Sequence, residues 1–553
     1  MTHSTPHTHG NPNGSAHSVT RVASNEREKY EQQATTEVEK DYPHGLKLVV
    51  LMVALCLAVF LVALDNSIIA TAIPKITEQF KSLDDVGWYG SSYLLAISAT
   101  QLLFGKFYTF LPVKSVFLAA ISLFELGSLI CGVAPNSKAL IIGRAIAGLG
   151  SAGIFTGALI IIAHAVPLMK RPMYSGLVGA MYGIANVTGP LMGGAFTDKV
   201  SWRWCFYINL PIGGLTIFII AFIFKLPKSA DHKPPEAPLT MRQRVERFDP
   251  WGTLSFIPAI VSLLLALQWG GSKYAWNNGR IIALFVVFGI LITAFVGIQI
   301  WQQENATVPP RILMRRSIWA GGWFSLALGA SFFVFVYYLP IWFQAIKGTS
   351  AVKSGIDNLP MLLALVLSSI TSGILITLFG YYTPAVWLST VLMTIGAGLM
   401  STFTPNTGHA KWIGYQILYG FGLGCGTQGP VMAAQTVLEL KDVPIGMSIQ
   451  VFTQTLGGAL FISVAQNVFQ NKLISGLAAR VPEVPAELIF AAGATNLKSD
   501  VNPQFLPAVL EVYNAALVSA FQVGIAMAGI SIVGALAMEW KSVKEKNMEM
   551  AVA

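Results

Sequence analysis

The sequence predicts an all-α membrane protein with 14 transmembrane helices: two six-helix bundles (spans 1–6 and 9–14) plus an inserted two-helix hairpin (spans 7–8). Three observations carry that prediction. First, only 11% of the 553 residues are charged and 54% are hydrophobic, with a mean hydropathy of +0.60, whereas a soluble domain carries about 25% charged residues. The 36 Lys and Arg and 27 Asp and Glu are too few to cover a water-exposed surface of this size. That excludes a soluble multi-domain enzyme, a disordered chain and a disulfide scaffold. Second, runs of about 20 apolar residues, long enough to cross a hydrocarbon core as helices, recur along the chain. Third, glycine-bearing segments repeat at a nearly constant offset of 274–275 residues.

The expected spans are 46–75, 86–109, 113–133, 138–163, 172–195, 203–225, 251–269, 280–301, 319–345, 354–378, 383–404, 412–435, 446–470 and 515–537. The first 45 residues are polar and contain no apolar h-region, so no cleaved signal peptide is expected there. His3, His7, His9 and His17 in that stretch read as a solvated tail rather than a metal site. With the N-terminus inside, the inner segments hold 22 Lys and Arg, the outer segments 13, and Arg144 alone lies well within a span. Positive charge favours the cytoplasmic side, so both termini are expected there. The Asn-x-Ser/Thr matches at Asn13, Asn186 and Asn305 then fall on that side or inside a span, away from glycosylation. The organisation expected is a disordered cytoplasmic tail 1–45, an N-terminal six-helix bundle 46–225 and a cytoplasmic linker 226–250. An inserted helix pair 251–301, a C-terminal bundle 319–537 with an outer loop 471–514, and a cytoplasmic tail 538–553 complete it.

A net charge of +9 does not point to nucleic acid, because the basic residues are scattered singly instead of forming a stripe. Cys56, Cys131, Cys205 and Cys425 lie in or beside apolar runs and read as packing residues, not disulfides or a metal cage. No metal site is expected.

The repeat pairs Phe104-Gly105 with Phe379-Gly380, and Gly148-Leu149-Gly150 with Gly422-Leu423-Gly424. Two like halves suit a rocker whose central site faces each side in turn. The copies differ in charge. Asp65, Glu125 and Arg144 are the ionisable residues furthest from span ends in the first half, and the offset places Leu339, Leu399 and Leu418 opposite them. At ~1.5 Å per residue, they lie ~15, ~12 and ~9 Å from the outer ends of their spans. A charge at such depth costs ~3 kcal/mol or more unless it is paired or hydrated. One reading is a structural ion pair or a side chain reaching the interface. The other is a protonation site: Arg144 keeps its proton, but a carboxylate beside it can gain one and so bias two packings of the bundle.

Gly148-Leu149-Gly150-Ser151-Ala152-Gly153 and Gly424-Cys425-Gly426-Thr427-Gln428-Gly429 match G-x-G-x-x-G. Neither follows a strand, so the dinucleotide reading fails its context; small residues here let helix backbones approach. In span 5, Pro190 removes a backbone donor among Gly189, Gly193 and Gly194, which predicts a kink that serves as a hinge or as static packing. Amides such as Gln428, Gln450 and Gln454, with Asn186 and the aromatics Tyr338 and Trp342, suit a cavity for a bulky, largely apolar ligand. Taken singly, each is equally an interhelical hydrogen bond or a core aromatic.

These residues carry a resemblance. Leu64-Asp65-Asn66-Ser67-Ile68-Ile69-Ala70-Thr71-Ala72-Ile73-Pro74, Gly143-Arg144-Ala145-Ile146-Ala147-Gly148-Leu149-Gly150, Gly189-Pro190-Leu191-Met192-Gly193-Gly194 and Trp202-Arg203-Trp204-Cys205-Phe206-Tyr207-Ile208-Asn209-Leu210-Pro211 resemble motifs of the first, fourth, fifth and sixth helices of fourteen-span drug:proton antiporters. The chain is similar to that family of the major facilitator superfamily, and to its fungal toxin-efflux branch. The resemblance implies proton coupling at the fourth-helix arginine, here Arg144, and an antiporter motif at Gly189, Pro190, Gly193 and Gly194. One motif departs: where the superfamily has an Asp and an Arg after its second-span glycine, this chain has Lys106 to Lys114 with no acid. Lys106 or Lys114 then binds a partner elsewhere, or packing alone closes that gate.

The function expected is a secondary active efflux transporter, exporting a hydrophobic organic compound in exchange for protons, with Asp65, Glu125 and Arg144 in coupling. The expected partners are a lipid bilayer, a hydrophobic small-molecule substrate and protons. No nucleic acid and no cofactor are expected; a proton gradient is the energy source, since no G-x-x-x-x-G-K-[ST] occurs. A monomer in the plasma membrane is expected, the vacuolar membrane being the second choice. The alternatives are an importer or vacuolar transporter of a polar metabolite, such as a basic amino acid or an iron chelate, and a membrane sensor. An enzyme is not expected, as neither H-E-x-x-H nor G-x-S-x-G is present.

Overall fold

The computed structural model describes residues 42–544 except 83–84, 225–244, 272, 487, 491–492, 494–496 and 499–500. The expected tail 1–45 with its histidines, most of the linker 226–250 and the end of the tail 538–553 therefore lie outside the described residues. The described chain is helical. The first half contains α1 (Leu46–Phe80), α2 (Val86–Phe110), α3 (Val113–Val133), α4 (Ser137–Ala165), α5 (Arg171–Lys199) and, after a turn at Trp204–Tyr207, α6 (Asn209–Phe222). A helix pair follows, α7 (Pro250–Trp269) and α8 (Gly279–Gln302). The second half contains α9 (Arg316–Trp342), α10 (Leu359–Phe379), α11 (Thr383–Met400), α12 (His409–Thr427), α13 (Gly429–Val437), α14 (Val443–Arg480) and α15 (Leu506–Ala537).

Eleven of these segments are long and apolar enough to cross a membrane. Helices α2, α5 and α12 are not among them, although they are 25, 29 and 19 residues long. Their sequences explain this: α2 carries Ser91, Ser92, Ser98, Thr100, Gln101 and Lys106, and α5 and α12 are rich in glycine. Helices that face protein and a polar-dotted interior need less apolar surface than helices that face lipid. At the other extreme, α8 is mostly exposed, only 11% of its most apolar stretch being buried.

The halves meet along two seams, α5 against α10 and α2 against α14, and α7 packs on both α2 and α14. Within the first half, α3 and α4 pack closely because glycines remove side chains from both sides of the contact. A Cβ on Gly127 would sit 2.6 Å from the Ala147 Cα, and one on Gly150 would sit 2.8 Å from the Phe124 Cα. The G-x-G-x-x-G match of α4 is thus helix packing.

Breaks in the helices fall where proline or a polar residue interrupts the ladder. The run through α12 and α13 is interrupted at Gln428, ahead of Gly429-Pro430, since Pro supplies no backbone donor. A π-helical turn over Phe343–Lys347 ends the α9 run. The outer loop expected over 471–514 is shorter than its bounds: α14 continues to Arg480 and α15 starts at Leu506. The reason is burial, since Leu473 and Leu477 are 0% and 1% exposed and extend the apolar stripe of α14 against α15. All four cysteines are free and buried.

Candidate functional site

Two of the three deep charges form an ion pair. Asp65 on α1 and Arg144 on α4 are both 0% exposed. Arg144 Nη1 donates to Asp65 Oδ2 and, at 3.4 Å, to the Asp65 carbonyl. Its Nε donates to the Tyr89 carbonyl at 2.8 Å, and its guanidinium lies 4.2 Å from the centre of the Tyr93 ring. Arg144 Nη2 has no hydrogen-bond partner among the described residues. A buried guanidinium needs this combination of carboxylate, carbonyl and ring face to offset lost hydration.

Glu125 is near this pair but not part of it. The second carboxylate oxygen of Asp65 accepts from Asn209 Nδ2 at 3.1 Å, and the same amide reaches Ser128 Oγ at 3.1 Å. Ser128 lies three residues beyond Glu125 on α3, so the two share a face. Glu125 is 9% exposed, and neither of its carboxylate oxygens has a hydrogen-bond partner among the described residues. It packs on α6, where a Cβ added to Gly213 would lie 3.0 Å from the Glu125 Cγ. Asn209 therefore links Asp65 to Ser128, on the face of α3 that carries Glu125. It occurs in the quoted motif that runs from Trp202 to Pro211, yet the sequence alone assigned it no role.

Gly189 and Gly193 of α5 pack on α1 one turn from Asp65. A Cβ on Gly189 would sit 3.0 Å from the Ile68 backbone nitrogen, and one on Gly193 would sit 2.6 Å from the Ile68 carbonyl. Ser67 Oγ donates to the Ala185 carbonyl at 3.1 Å. Pro190 and Gly194 instead face the short helix Ala351–Asp357: Gly355 is the neighbour of Pro190, and a Cβ on Gly194 would be 3.5 Å from Val352. Helix α5 thus touches the Asp65 region on one side and the second half on the other.

A central cavity lies between the halves. Tyr93, Gln101, Phe155 and Tyr182 line it from the first half, and Phe332, Gln428, Gln450 and Gln454 from the second; among the described residues, no Asp, Glu, Lys or Arg lines it. Tyr93 joins the cavity to the ion pair: it carries the Arg144 guanidinium on its face while its hydroxyl donates to the Val62 carbonyl at 2.9 Å. Gln428 Nε2 donates to the Ser175 carbonyl of the first half at 3.2 Å. Gln450 Nε2 donates to the Ile318 carbonyl at 3.0 Å. Gln454 makes no side-chain hydrogen bond among the described residues.

Three residues expected in the cavity lie elsewhere. Trp342 is 0% exposed, donates through Nε1 to Asn514 Oδ1 at 2.8 Å and packs on Phe403 at 4.7 Å between ring centres. Tyr338 is buried beside Phe469. Both belong to the core of the second half because their helix turns that face towards α14 and α15. Asn186 caps no ligand space; its Nδ2 donates to the Tyr182 carbonyl at 2.9 Å, one turn back on α5.

The two lysines after Gly105 have different partners. Lys114 Nζ donates to the carbonyls of Ala221 and Phe224 at 2.7 and 2.9 Å, where a cation satisfies the unpaired end of α6. Lys106 is fully buried and donates to the Asn305 carbonyl at 3.1 Å. Among the described residues, no three His, Cys, Asp or Glu gather where a metal ion could be held.

Comparison with known proteins agrees with this architecture. The family described as Major Facilitator Superfamily matches residues 55–462. The chain is 60% identical over 510 residues to the "MFS-type efflux pump MFS1" of Arthroderma benhamiae, which covers 92% of this chain and 94% of that protein. It is 55% identical over 498 residues to "Efflux pump roqT" of Penicillium rubens, covering 90% and 92% of the two chains. The human organic anion transporter MFSD10 shares the fold at 12% identity and a TM-score of 0.53, over 87% of this chain and 100% of that one. With a family match across most of its helices and relatives this similar over nine-tenths of its length, the chain is a multi-pass membrane protein and belongs to the Major Facilitator Superfamily.

Proposed function

We propose that this protein is a proton-coupled efflux transporter that exports hydrophobic organic compounds by alternating access. Relatives named as efflux pumps support the direction of transport. The observation that carries the coupling is the buried Asp65–Arg144 pair, joined to the central cavity through the Tyr93 ring. A proton on Asp65 neutralises the partner of Arg144 and leaves a buried cation uncompensated, which disfavours the packing of α1 on α4. Because α1 is locked to α5 at Gly189 and Gly193, and α5 forms a seam with α10, that change reaches the interface between the halves. Glu125, beyond Asn209, is the second proton acceptor of the relay. The cavity offers rings and amides but, among the described residues, no charge, which suits a neutral, largely apolar substrate and disfavours a basic amino acid.

In this reading the chain crosses the membrane fourteen times, with α2, α5 and α12 among the crossings and α7–α8 as an inserted hairpin. Both termini face the cytoplasm, the membrane is the plasma membrane, and the working unit is a monomer driven by the proton gradient without a cofactor. Gly189, Pro190, Gly193 and Gly194 form the hinge. The test is proton-gradient-driven uptake into inverted vesicles for wild type, Asp65→Asn, Glu125→Gln and Arg144→Ala. Loss of gradient-driven uptake in the Asp65 and Arg144 variants is expected. Wild-type rates with unchanged pH dependence in all three would overturn the assignment.

A further inference from the structure

The helix pair α7–α8 touches both halves, and its two ends converge on one buried carboxylate. Asp249, the residue before α7, is 0% exposed. It accepts the Gly252 backbone N–H at 2.7 Å, Gln299 Nε2 at 2.7 Å and Gln302 Nε2 at 2.7 Å. It also accepts the backbone N–H and the hydroxyl of Thr307, both at 2.8 Å. Gln299 Oε1 in turn accepts the Val308 N–H at 2.7 Å. One carboxylate therefore ties the start of α7, the end of α8 and the segment 303–308 into a single body. A carboxylate with every lone pair engaged is a strong local anchor.

That anchored segment reaches both halves, one directly and one through Arg311. On the first-half side, the Asn305 carbonyl accepts Lys106 Nζ of α2. On the second-half side, Glu304 takes Arg311 Nε and Nη2 at 2.9 and 3.1 Å. Arg311 Nη1 then donates to Asp442, the residue before α14, at 2.9 Å. The Arg311–Glu304 contact is largely exposed, at 39% and 65%, and contributes little alone. Asp442 at 9% and Lys106 at 0% are buried, and Arg311, only three residues past Val308, stays joined to the segment along the chain as well as through Glu304. Between them the seam is shut: a Cβ on Gly105 of α2 would lie 2.9 Å from the Ser448 Cβ of α14.

We propose that the inserted helix pair is a clamp across the α2–α14 seam, with Asp249 as its positioning residue, Lys106 its grip on the first half and Asp442, through Arg311, its grip on the second. The clamp rests on the reading that transport proceeds by alternating access. Separating α2 from α14 at this end moves Lys106 away from Asp442. The segment 303–308 is pinned by Asp249 and cannot stretch, so opening on this side requires release of one grip. The same pair of helices fixes where the halves stop when they close, because α7 packs on both α2 and α14.

The experiment uses the full chain with a reporter cysteine, Thr455→Cys, on the cavity wall. The four native cysteines are buried, and the chain lacking the reporter is the blank. Vesicles with the Lys106 side outward are treated with a membrane-impermeant maleimide. Lys106→Met and Asp442→Asn are each expected to speed labelling roughly tenfold, as loss of one charge-assisted hydrogen bond shifts the open population. Lys106→Arg, which keeps a donor, is expected to label close to the parent rate. Unchanged labelling in both Lys106→Met and Asp442→Asn, with each variant eluting as a monodisperse peak, overturns the clamp. Asp65→Asn measured alongside separates the two ideas: loss of gradient-driven uptake there, with unchanged labelling in the clamp variants, sinks the clamp alone. Wild-type uptake in Asp65→Asn with faster labelling in the clamp variants sinks the coupling reading and leaves the clamp standing.

Discussion

Replacing Arg144 by Gln removes the cation that Asp65 was buried against. Two of the three directional bonds of Arg144 go to Asp65, and the third goes to the Tyr89 carbonyl. After the change, Asn209 is the side-chain partner that Asp65 keeps among the described residues. Breaking a buried pair by removing one member costs ~3–5 kcal/mol, because the other charge stays buried without compensation. Asp65→Asn is expected to fall in the same range, eased by the Tyr93 ring that still faces the guanidinium. The double variant Asp65→Asn/Arg144→Gln buries no charge. Its remaining cost is the lost Arg144 bond to the Tyr89 carbonyl, which lies within α2 and keeps its helical partner, about 1.5–3 kcal/mol. The double variant should therefore be more stable than either single one, with a coupling energy of ~3 kcal/mol or more. Resistance to heating in detergent gives the order of stability, and vesicle uptake with and without a pH gradient gives the coupling. All three variants should lose gradient-stimulated uptake, the double variant while being well folded. Additive stability losses in the double variant would refute the idea of a compensated charge pair. Wild-type gradient dependence in the double variant would refute the coupling role.

Asn209→Ala removes a bond to a charged acceptor worth ~1.5–3 kcal/mol and severs the link between Asp65 and Ser128. The pH profile of uptake should shift while the purified chain remains folded, and an unchanged profile counts against a relay. Gln454→Leu should raise KM by roughly tenfold for substrates with hydrogen-bonding groups, the effect of one lost hydrogen bond, and leave purely apolar ones unaffected; competition between such substrates in vesicles reads this directly. Trp342→Ala should cost about 3–5 kcal/mol as a core truncation without altering relative substrate preference, and a selective change in preference would return Trp342 to the cavity. Gly150→Val must push α3 and α4 apart, since even a Cβ meets the Phe124 backbone. A loss of ~1–3 kcal/mol or more is expected, read as early loss of the monodisperse peak on heating.

The reach of sequence reasoning differed from residue to residue. Asp65 and Arg144 stood out because charge is rare in apolar spans, and the structure places them in contact. Glu125 stood out for the same reason, yet its carboxylate makes no hydrogen bond to the pair among the described residues, because depth along a helix says nothing about which way the side chain turns. Gln428, Gln450 and Gln454 line the cavity, whereas Tyr338 and Trp342 are core. Aromatic rings serve lipid, core and ligand equally well, so composition does not sort them. The grips on Lys106 and Asp442 were out of reach, since they join residues nearly 200 and 131 positions from their partners.

The amino-acid sequence by itself determined the solvent, the helical class, the family and the presence of charge deep in one half only. Those properties follow from composition, run length and local motifs. The tertiary structure alone decided which faces meet. In a soluble helix a polar stripe announces the outside, but here the lipid face and the packed face are both apolar, so no stripe marks either. Close approach of glycines, the reach of Arg144 to Asp65 and the closing of the 303–308 segment around Asp249 are set by packing. That is why the charges could be counted from the sequence, but their partners could not be named.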